Sequence, residues 1–581
     1  MRPEARLVRH WLIVGLASLV FLPGAPASDL PWMEQGCRNL IHRVFMPNAP
    51  AADPTEFVRV PMADGTGLAT DVYLPEGQGP WPAILLRSTY GRIFEMVNFL
   101  NKGYREAGYA CVIQDLRGMG ASEGEPNVFY ADGWRPGLSD GADTVAWMRA
   151  QPWCNGKVGT FGTSALGITQ MLLAPATRDL AAQAIHRAYA SGYHDGMYQG
   201  GVFRKNDAEG WLTAMFQRHL IPFYKAQPTY GPIWMHYDAV AKAADITAPA
   251  VFYGGWFDIF QQGIIDGFTS RERNGGDGAR GQNYLVMHWT PHISRMPMDY
   301  HPKAKNGMAV EVNQLERAFY ACHLKGDCGV LKGLPKVQYY VMGDDTTPDA
   351  PGNEWRTAET WPPFTPVITP YYLHADGVLS AAPPGTDAAP LEFLFDPNNP
   401  YPTQGGPNLT PNVPHGPQDQ RKYGQRKDLL QFATAPLPGP VEVAGRVSVR
   451  LYVSSDAPDT DFTGKLLDIY PDGDGRELNI LDGIHRVKYR KRFEQPEPPL
   501  TGLDQVVALE IDLWSTSIVF NKGHRIGLHI SSSNYPRFEV NPNTGADFPE
   551  AGKPMRVARN RVHCDGAHPS ALILPVRPEK E

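Results

Sequence analysis

Short apolar runs, each bounded by Gly, Pro or Asp, recur through the first half of the chain and constrain its fold more than any other feature. They are Ala83–Leu86, Tyr109–Ile113, Val158–Phe161, Ala250–Tyr253 and Tyr284–Met287. Runs this short are typical of buried parallel strands. Helical patterns at Gly141–Ala150 and Ala165–Leu173 lie between them, and a turn at Asp64–Gly67 predicts an antiparallel hairpin ahead of them. This alternation predicts an α/β fold with a doubly wound parallel sheet.

The remaining chain departs from this alternation in two places. Residues 189–246 are rich in Tyr, Trp, Phe and Met and contain no short β run, which predicts a helical insertion. After a Pro- and Gly-rich joint, an all-β sandwich is predicted from the alternating runs Val441–Val443, Val447–Val453, Val506–Leu513 and Ile526–Ile530. The predicted boundaries are 50–188 and 247–360 for the α/β core, 189–246 for the insertion and 361–575 for the sandwich.

The N-terminus has the pattern of an export signal. Three Arg residues precede an apolar run from Trp11 to Leu22, and a small-x-small exit ends at Ala27. The pattern predicts a secretory signal peptide over residues 1–27, and the apolar run is too short for a comfortable bilayer span. We therefore expect an exported protein, periplasmic or extracellular, that is not stably inserted in a membrane.

The cysteines are few for a chain of 581 residues, six in all. Cys322 and Cys328 are separated by five residues, a loop that a disulfide can close in an oxidising compartment. We predict a disulfide between them, whereas Cys111, inside an apolar run, is expected to be a core residue. The spacing of Cys and His is not that of a structural zinc site.

Charge and composition exclude several functional classes. Hydrophobic residues make up 42% of the chain, which is far too many for a disordered protein. The 54 Lys and Arg residues against 61 Asp and Glu give a net charge of −7, without a basic block. A nucleic acid is therefore not expected as the main partner.

A strand–turn–helix pattern around Ser164 predicts a nucleophile. The apolar run Val158–Phe161 leads into Gly-Thr-Ser-Ala-Leu-Gly, and a helical pattern follows. Such a turn lifts a serine hydroxyl clear of the sheet, and the next backbone N–H faces the oxyanion of an acyl-transfer reaction. The alternative interpretation is a serine that only caps the following helix.

A catalytic serine needs a histidine base and an acid that orients it, in the chain order Ser–Asp–His for a sheet of this kind. Asp258 follows the apolar run at Ala250, where the acid is expected. His288 and His292 end the next run, and their spacing leaves open which one is the base. A metal site at this pair is not expected, because Pro291 interrupts the helix that an i, i+4 pair requires. No metal or cofactor is predicted.

Two further loops bear on the chemistry. Tyr90 lies just beyond an early strand, where its hydroxyl could donate to a developing oxyanion. The segment Asp115–Gly124 crowds Asp, Arg and several Gly into one loop, which we interpret as structural, with Asp115 and Arg117 bonded to the backbone or to each other. The alternative, a phosphate-binding loop, lacks the Lys and the spacing of a P-loop.

Together these motifs resemble the cocaine-esterase-like (CocE/NonD) serine hydrolases, relatives of the Xaa-Pro dipeptidyl-peptidases and α-amino-acid ester hydrolases. The matching segments of the α/β part are Asp115–Gly124, the turn at Ser164, Gly254–Asp258 and the strand leading to His292. The C-terminal matches are Gly416–Arg421, Ser454–Phe462, Gly523–Arg525 and Ser531–Phe538. The resemblance covers about residues 55–570 and implies an α/β-hydrolase domain with an inserted helical cap, followed by an all-β jelly-roll sandwich.

The resemblance also implies a role for each site residue. It makes Ser164 the nucleophile, Asp258 the orienting acid and His292 the base. The Tyr90 hydroxyl and the backbone N–H of Ala165 would form the oxyanion hole. The acyl pocket would be lined by Trp256, Phe260 and, from the cap, Trp211. The chain departs from the family in having Ala165 where an aromatic residue is usual and an additional residue, Pro291, before the base.

The substrate expected from these residues is an ester, or an amide, of a neutral hydrophobic or aromatic acyl group. Ile259–Gln262 follow the acid without a second carboxylate, so a buried ammonium would have no adjacent partner. Carboxylates of the cap at Asp195, Asp207 and Glu209 keep open an Xaa-Pro dipeptidyl-peptidase or an α-amino-acid ester hydrolase of the β-lactam acylase type. A second alternative is a catalytically vestigial protein that binds carbohydrate or a surface through its β sandwich.

Overall fold

The computed structural model describes residues 53–579 except 101, 130, 134–137 and 294–295. The predicted signal peptide and Cys37 lie outside the described residues. The described chain divides into two compact units. The first runs to Gln183 and includes Tyr320–Asp327, and the second comprises Ala184–Phe319 and the chain from Cys328 onward.

A sheet with the strand order β1-β2-β4-β3-β5 forms the centre of the first unit. The strands are β1 (Glu56–Pro61), β2 (Gly67–Tyr73), β3 (Trp81–Ser88), β4 (Ala110–Asp115) and β5 (Cys154–Thr163). The predicted hairpin β1–β2 is antiparallel and turns at Gly65, whose φ is +87°. Strand β3 is parallel to both β4 and β5 and is buried beyond Trp81, as the apolar run predicts.

Three helices accompany these strands: α1 (Arg92–Leu100), α2 (Asp140–Arg149) and α3 (Ala165–Leu173). Helix α2 carries Asp140 and Asp143 in its first turn and Arg149 in its last, an arrangement that complements the helix dipole. Every residue of α3 is buried, because its sequence contains no charged side chain to face solvent. Strand β6 (Leu180–His186) then leads from the first unit into the second.

The second unit begins with the inserted cap, which is built from short helices, as predicted. These are a π-helical turn Gly192–Met197, α4 (Lys205–Ala214), α5 (Ile221–Lys225), α6 (Pro232–Met235) and 3₁₀ turns at Arg218–Leu220 and Ala243–Asp245. A small ribbon of β7 (Tyr198–Gln199) and β8 (Val202–Phe203) was not predicted. The rings of Tyr193 and Tyr198 stack at 5.0 Å, and aromatic contacts of this kind supply the core that short helices lack.

The α/β strands of the second unit lie in the order β9-β10-β11-β12. They are β9 (Ala250–Phe257), β10 (Tyr284–Pro291), β11 (Val337–Val341) and β12 (Glu354–Ala358). The first three are parallel, which confirms the predicted pattern, and β12 is antiparallel to β11. Helix α7 (Gln261–Asn274) follows β9, and α8 (Val312–Lys325) follows β10.

The C-terminal part is all-β, as predicted, and its strands pair antiparallel. One sheet has the order β14-β13-β24-β17-β22-β15, with β20 paired to β17 and β23 to β22, and the other has the order β16-β21-β18-β19. The strands are β13 (Val367–Leu373), β14 (Leu379–Ser380), β15 (Leu391–Phe395), β16 (Leu430–Ala433), β17 (Val441–Ser455), β18 (Asp461–Ile469), β19 (Glu477–Arg486), β20 (Val507–Phe520), β21 (Arg525–Ser531), β22 (Ala558–Asp565), β23 (His568–Pro569) and β24 (Ala571–Val576). Short 3₁₀ turns lie at Cys328–Leu331, Gln420–Tyr423 and Val487–Tyr489.

Two of these strands are longer than the sequence predicts. The two short runs predicted on either side of Gly445 join into β17, and β20 continues to Phe520. In this pair Val447 faces Trp514 while Ser448 faces Asp512, so the β20 strand carries one additional residue. A β-bulge of this kind lets pairing continue through a local break in the apolar pattern, which is where the predicted strands ended.

Among the described residues, the cysteines predicted to form a disulfide and the one predicted to lie in the core are found in those states. Cys322 and Cys328 are both disulfide-bonded. Cys111, Cys154 and Cys564 are free and buried. No helix within the described ranges combines the length and the apolar character needed to cross a membrane.

Candidate active site

Ser164 lies on a strained turn between β5 and α3. Its φ is +61° and its ψ is −125°, a combination that is costly for a residue other than glycine. Its hydroxyl does not cap α3, so the alternative of a capping serine is not what the structure shows. A Cβ at position 162 would lie 2.6 Å from the Leu166 carbonyl oxygen, which explains why the residue two positions before Ser164 is a glycine. Ala165 begins the helix, so its N–H is one of those that no carbonyl of the helix accepts.

Tyr90 lies just beyond the carboxyl end of β3, the parallel neighbour of the strand that ends before Ser164. Its loop is held by Arg92, whose fully buried guanidinium donates to Asp71 at 3.1 Å and to Asp115 at 2.8 Å. The carboxyl ends of parallel neighbours meet at one edge of a sheet. The first unit therefore presents a tyrosine and a strained serine at the ends of adjacent strands.

The loop Asp115–Gly124 is held by side chains, in keeping with the structural interpretation. Asp115 accepts the backbone N–H of Ala121 at 3.0 Å in addition to its pair with Arg92. Arg117 donates to Asp140 at 2.7 Å and to Asp64 at 2.8 Å. Asp115 and Arg117 thus anchor the loop through other partners rather than through each other.

Asp258 and His292 form a hydrogen-bonded pair in the second unit. Asp258 directly follows β9, is fully buried, and its Oδ2 lies 2.8 Å from Nδ1 of His292. Burial alone would raise the pKa of Asp258, but the charge and hydrogen bond of His292, with further contributions from Arg187 and the Phe260 N–H, hold that pKa below its usual value. The carboxylate therefore stays ionised and holds the imidazole with Nδ1 toward it.

Arg187 supports this pair and is not among the site residues predicted from the sequence. Its guanidinium donates to the His292 carbonyl at 2.6 Å and to Thr290 Oγ1 at 2.9 Å, and its Nε lies 3.7 Å from Asp258 Oδ2. Arg187 follows β6 with a φ of +46°. One cation thus contacts the acid and two residues at the end of β10, a role that no sequence motif signals.

His288 lies in a different environment from His292. It is half-buried, and desolvation together with the charge of Arg187 lowers its pKa to about 4. Its Nδ1 accepts the Thr290 N–H at 3.3 Å, and its ring packs 5.2 Å from that of Trp355. Of the two candidate bases, His292 is the one that the structure brings to Asp258.

An irregularity near the end of β10 separates the two histidines. His288 pairs with Gly255 of β9, but the next paired residue, Pro291, faces Phe257, so the register shifts between them. A Cβ at Gly255 would lie 2.1 Å from the Thr290 carbonyl oxygen, so only glycine allows this approach. Pro291, the residue that this chain has in addition to the family pattern, therefore lies in the irregular end of β10, immediately before His292.

The three predicted pocket residues have different surroundings. The Phe260 ring lies edge-on to the His292 ring at 5.6 Å and to Tyr189 at 5.5 Å. Trp256 is 1% exposed, and its indole N–H donates to the Tyr340 carbonyl at 2.7 Å. Its contacts are those of a core residue of β9. Trp211 lies on α4 and is half-buried.

Family models of X-Pro dipeptidyl-peptidases match both the α/β part and the C-terminal part of the chain. The X-Pro dipeptidyl-peptidase (S15 family) profile matches residues 64–222, and the X-Pro dipeptidyl-peptidase C-terminal non-catalytic domain matches residues 329–573. The cocaine esterase of Rhodococcus sp. (strain MB1 Bresler) is 34% identical, with 89% of this chain and 98% of the relative aligned.

Solved structures agree in fold over nearly the full length. An α-amino acid ester hydrolase superposes with a TM-score of 0.73 at 25% identity, covering 92% of this chain and 99% of the other. An aminopeptidase from a marine sediment Thaumarchaeota archaeon superposes with a TM-score of 0.74 at 23% identity, covering 91% and 98%. The second likeness concerns the fold alone.

Proposed function

The chain belongs to the cocaine-esterase-like (CocE/NonD) family of serine hydrolases, and on this premise we propose that it hydrolyses esters of neutral hydrophobic or aromatic acyl groups through Ser164, His292 and Asp258. In this mechanism Nε2 of His292 takes the Ser164 proton as the serine attacks the ester carbonyl. The Ala165 N–H and the Tyr90 hydroxyl donate to the oxyanion. Protonated His292 then gives its proton to the leaving alcohol, and water repeats the sequence on the acyl-enzyme.

The observation that carries this proposal is the bond between Asp258 and His292. A buried carboxylate with a lowered pKa, 2.8 Å from Nδ1, selects the tautomer whose Nε2 lone pair can accept a proton. The strained turn at Ser164 supports the assignment of the nucleophile, since such backbone strain concentrates at functional sites.

The partners of the cap carboxylates favour a neutral acyl group over an ammonium-bearing one. Asp207 is paired with Arg204 at 2.8 Å, and Glu209 with Lys225 at 2.5 Å. Asp195 accepts two backbone N–H groups, and burial raises its pKa well above the usual value, which disfavours its charged form. All three carboxylates proposed for the dipeptidyl-peptidase and amino-ester alternatives thus have partners within the chain.

Hydrolysis of p-nitrophenyl acyl esters and labelling by a fluorophosphonate test the proposal. Ser164→Ala is expected to abolish both, because it removes the attacking oxygen. His292→Ala should reduce kcat by about four orders of magnitude or more, while the neighbouring His288→Ala serves as the matched control and should retain most of the activity. A fully active Ser164→Ala, or loss of activity only in His288→Ala, would contradict the assignment.

The acyl preference is tested separately. A panel that compares aromatic acyl esters with aminoacyl esters and aminoacyl amides should show the highest kcat/KM for the neutral aromatic esters. A preference for the aminoacyl substrates would instead favour the amino-ester or dipeptidase alternative.

We also propose export of the protein. The pattern of residues 1–27 and two disulfide-bonded cysteines support an oxidising compartment. N-terminal sequencing of the mature chain should give Ser28 as the first residue, and a retained Met1 would contradict the proposal.

A further inference from the structure

We propose that the hairpin formed by β22 and β23 binds one divalent transition-metal ion through His563, Asp565 and His568. His563 and Asp565 are two residues apart on one strand, so their side chains share a face of the sheet. His568 is the cross-strand partner of Asp565, so it projects from the same face. One ligand atom from each residue lies within 4.8 Å of the other two.

The side chains already converge. Nδ1 of His568 lies 3.1 Å from both oxygens of Asp565, and the His563 and His568 rings are 5.5 Å apart. In a tetrahedral site with metal–ligand bonds of about 2.0–2.2 Å, ligand atoms lie about 3.3 Å from one another. The most distant ligand atoms, which lie within 4.8 Å of one another, therefore need to approach by at most about 1.5 Å, which changes in side-chain torsion supply.

Two of the three ligands are oriented by further hydrogen bonds. Nε2 of His563 lies 3.0 Å from Ser454 Oγ, and in the tautomer in which Nε2–H donates to the serine, Nδ1 carries the free lone pair. Asp565 Oδ1 accepts the backbone N–H groups of Ala567 at 2.8 Å and His568 at 3.0 Å. Such outer contacts typically fix the orientation of metal ligands.

The surroundings suit a cation that keeps one position open to solvent. His563 is buried, whereas Asp565 and His568 are half-buried at the end of the hairpin. Arg561, two residues before His563 on the same face, is paired with Glu392 at 2.9 Å, so its charge is compensated. An approaching cation therefore meets one carboxylate and two imidazoles.

The ligand set indicates the class of metal. Two imidazoles with one carboxylate suit Zn²⁺ and its borderline neighbours, whereas Ca²⁺ and Mg²⁺ prefer oxygen ligands throughout. Neither the Cys and His spacing of a structural zinc site nor an i, i+4 histidine pair on a helix describes this set. Here the H-x-D-x-x-H pattern places its ligands through strand alternation and hairpin pairing instead. The competing interpretation is a hairpin held by hydrogen bonds alone.

Calorimetric titration of ZnCl₂ into untagged, EDTA-treated full-length mature protein tests the proposal, with Co²⁺ as a spectroscopic probe. We expect one equivalent bound with a Kd in the micromolar range or tighter, and visible Co²⁺ bands typical of tetrahedral coordination. Asp565→Asn keeps an oxygen that can accept both turn N–H groups but loses the charge, and should weaken binding at least tenfold. His568→Ala should weaken it at least as much.

The matched control is His301→Ala, which removes an exposed histidine outside the cluster and should leave binding unchanged. Thermal melts without metal establish that each variant is folded. Unaltered zinc affinity in both Asp565→Asn and His568→Ala, or no binding by the wild-type protein at millimolar zinc, would overturn the proposal and leave the hydrogen-bonded hairpin as the correct description.

Discussion

At the scale of single residues, the arrangement around Asp258 explains how a fully buried carboxylate keeps its charge. Its oxygens receive the Phe260 N–H at 2.7 Å and lie 2.8 Å from Nδ1 of His292, with the Arg187 Nε 3.7 Å away. Each contact favours the ionised form and offsets the cost of burial. Arg187 also bonds the segment that carries His292, so one side chain sets both the charge balance and the position of the proposed base.

Substitution of Arg187 should therefore affect the chemical step more than substrate binding. Because loss of its bonds to Thr290 and the His292 carbonyl frees the end of β10, Arg187→Met is expected to lower kcat about 10²-fold with a small change in KM. Arg187→Lys retains the charge but lacks the planar guanidinium that donates from two nitrogens, so its kcat should lie between those of Arg187→Met and the wild type. Steady-state kinetics on a p-nitrophenyl ester, with thermal melts as a check of folding, give the measurement.

The outcome distinguishes a positioning residue from a merely structural one. A structural role would lower stability in both variants and leave the kcat of the folded fraction unchanged. Wild-type kcat in folded Arg187→Met would contradict the positioning role.

How far the site could be predicted from sequence depends on the residue. Ser164 and Asp258 follow apolar strands directly, so the rule that catalytic side chains lie at strand ends predicts them as candidates. Spacing alone left the choice between His288 and His292 open, and only the family resemblance pointed to His292, because an irregular strand end with a register shift decides which one reaches Asp258. Arg187 could not be found at all, since its contacts lie about a hundred residues away in sequence.

At the scale of elements, the packing of α7, the helix that follows Asp258, explains why it contains a glycine at position 263. A Cβ at Gly263 would lie 2.8 Å from the Tyr189 Cα and 2.9 Å from the Ala190 nitrogen, both backbone atoms. The glycine lets α7 approach the start of the cap closely. The same helix is bound to the β sandwich, because Ser515 Oγ donates to Gln262 Oε1 at 2.9 Å.

Gly263→Ala should thus destabilise the protein, although alanine is the better helix former. The intrinsic preference favours alanine by about 1 kcal/mol, but a backbone neighbour cannot give way as a side chain can. We expect a net loss of about 1–3 kcal/mol in the free energy of unfolding, measured by urea denaturation.

Gly210 in α4 supplies the matched control. A Cβ there meets only the Thr410 methyl, at 2.7 Å, and a side-chain methyl can move. Gly210→Ala should accordingly be close to neutral. Equal effects of the two substitutions would show that helix preference, not the approach of α7 to the cap, governs both positions.

Elements were predictable where the sequence pattern is local. The helix Ala165–Leu173 has the predicted bounds, because a glycine-containing turn precedes it and apolar residues fill it. The joining of two short runs into β17 was not predictable, since it depends on the partner strand β20 and its bulge. Pairing between distant strands leaves no local sign in either sequence.

At the scale of the whole molecule, the order of α/β core, helical insertion and β sandwich was predictable, because each part has its own pattern of apolar residues. The contacts between elements within the second unit were not predictable. One such contact joins the α/β strands to the β sandwich. His524, just before β21, is buried between Asp344, which follows β11, and Asp468 of β18. Its Nδ1 lies 2.8 Å from Asp468 and its Nε2 3.7 Å from Asp344.

This junction should make stability depend on pH. Burial alone would lower the pKa of His524, but the hydrogen bonds and charges of Asp344 and Asp468 raise it to about 9. A histidine whose folded pKa lies above its unfolded value of about 6.5 stabilises the fold fully below pH 6.5, and this contribution is lost as the pH rises through about 9. For an elevation of this size the contribution is at most about 3 kcal/mol.

Urea unfolding of the wild type and of His524→Gln at about pH 6, 7.5 and 9 isolates the contribution of this junction, because titrating groups other than its two partners Asp344 and Asp468 affect both proteins alike. The wild type should exceed the variant most at pH 6, and the difference should shrink steadily toward pH 9. A difference that stays constant over this range would mean that His524 is uncharged in the folded state, and the junction would then be held by neutral hydrogen bonds. The predicted decline belongs to the fold and not to the active site, so it should be equally large in Ser164→Ala.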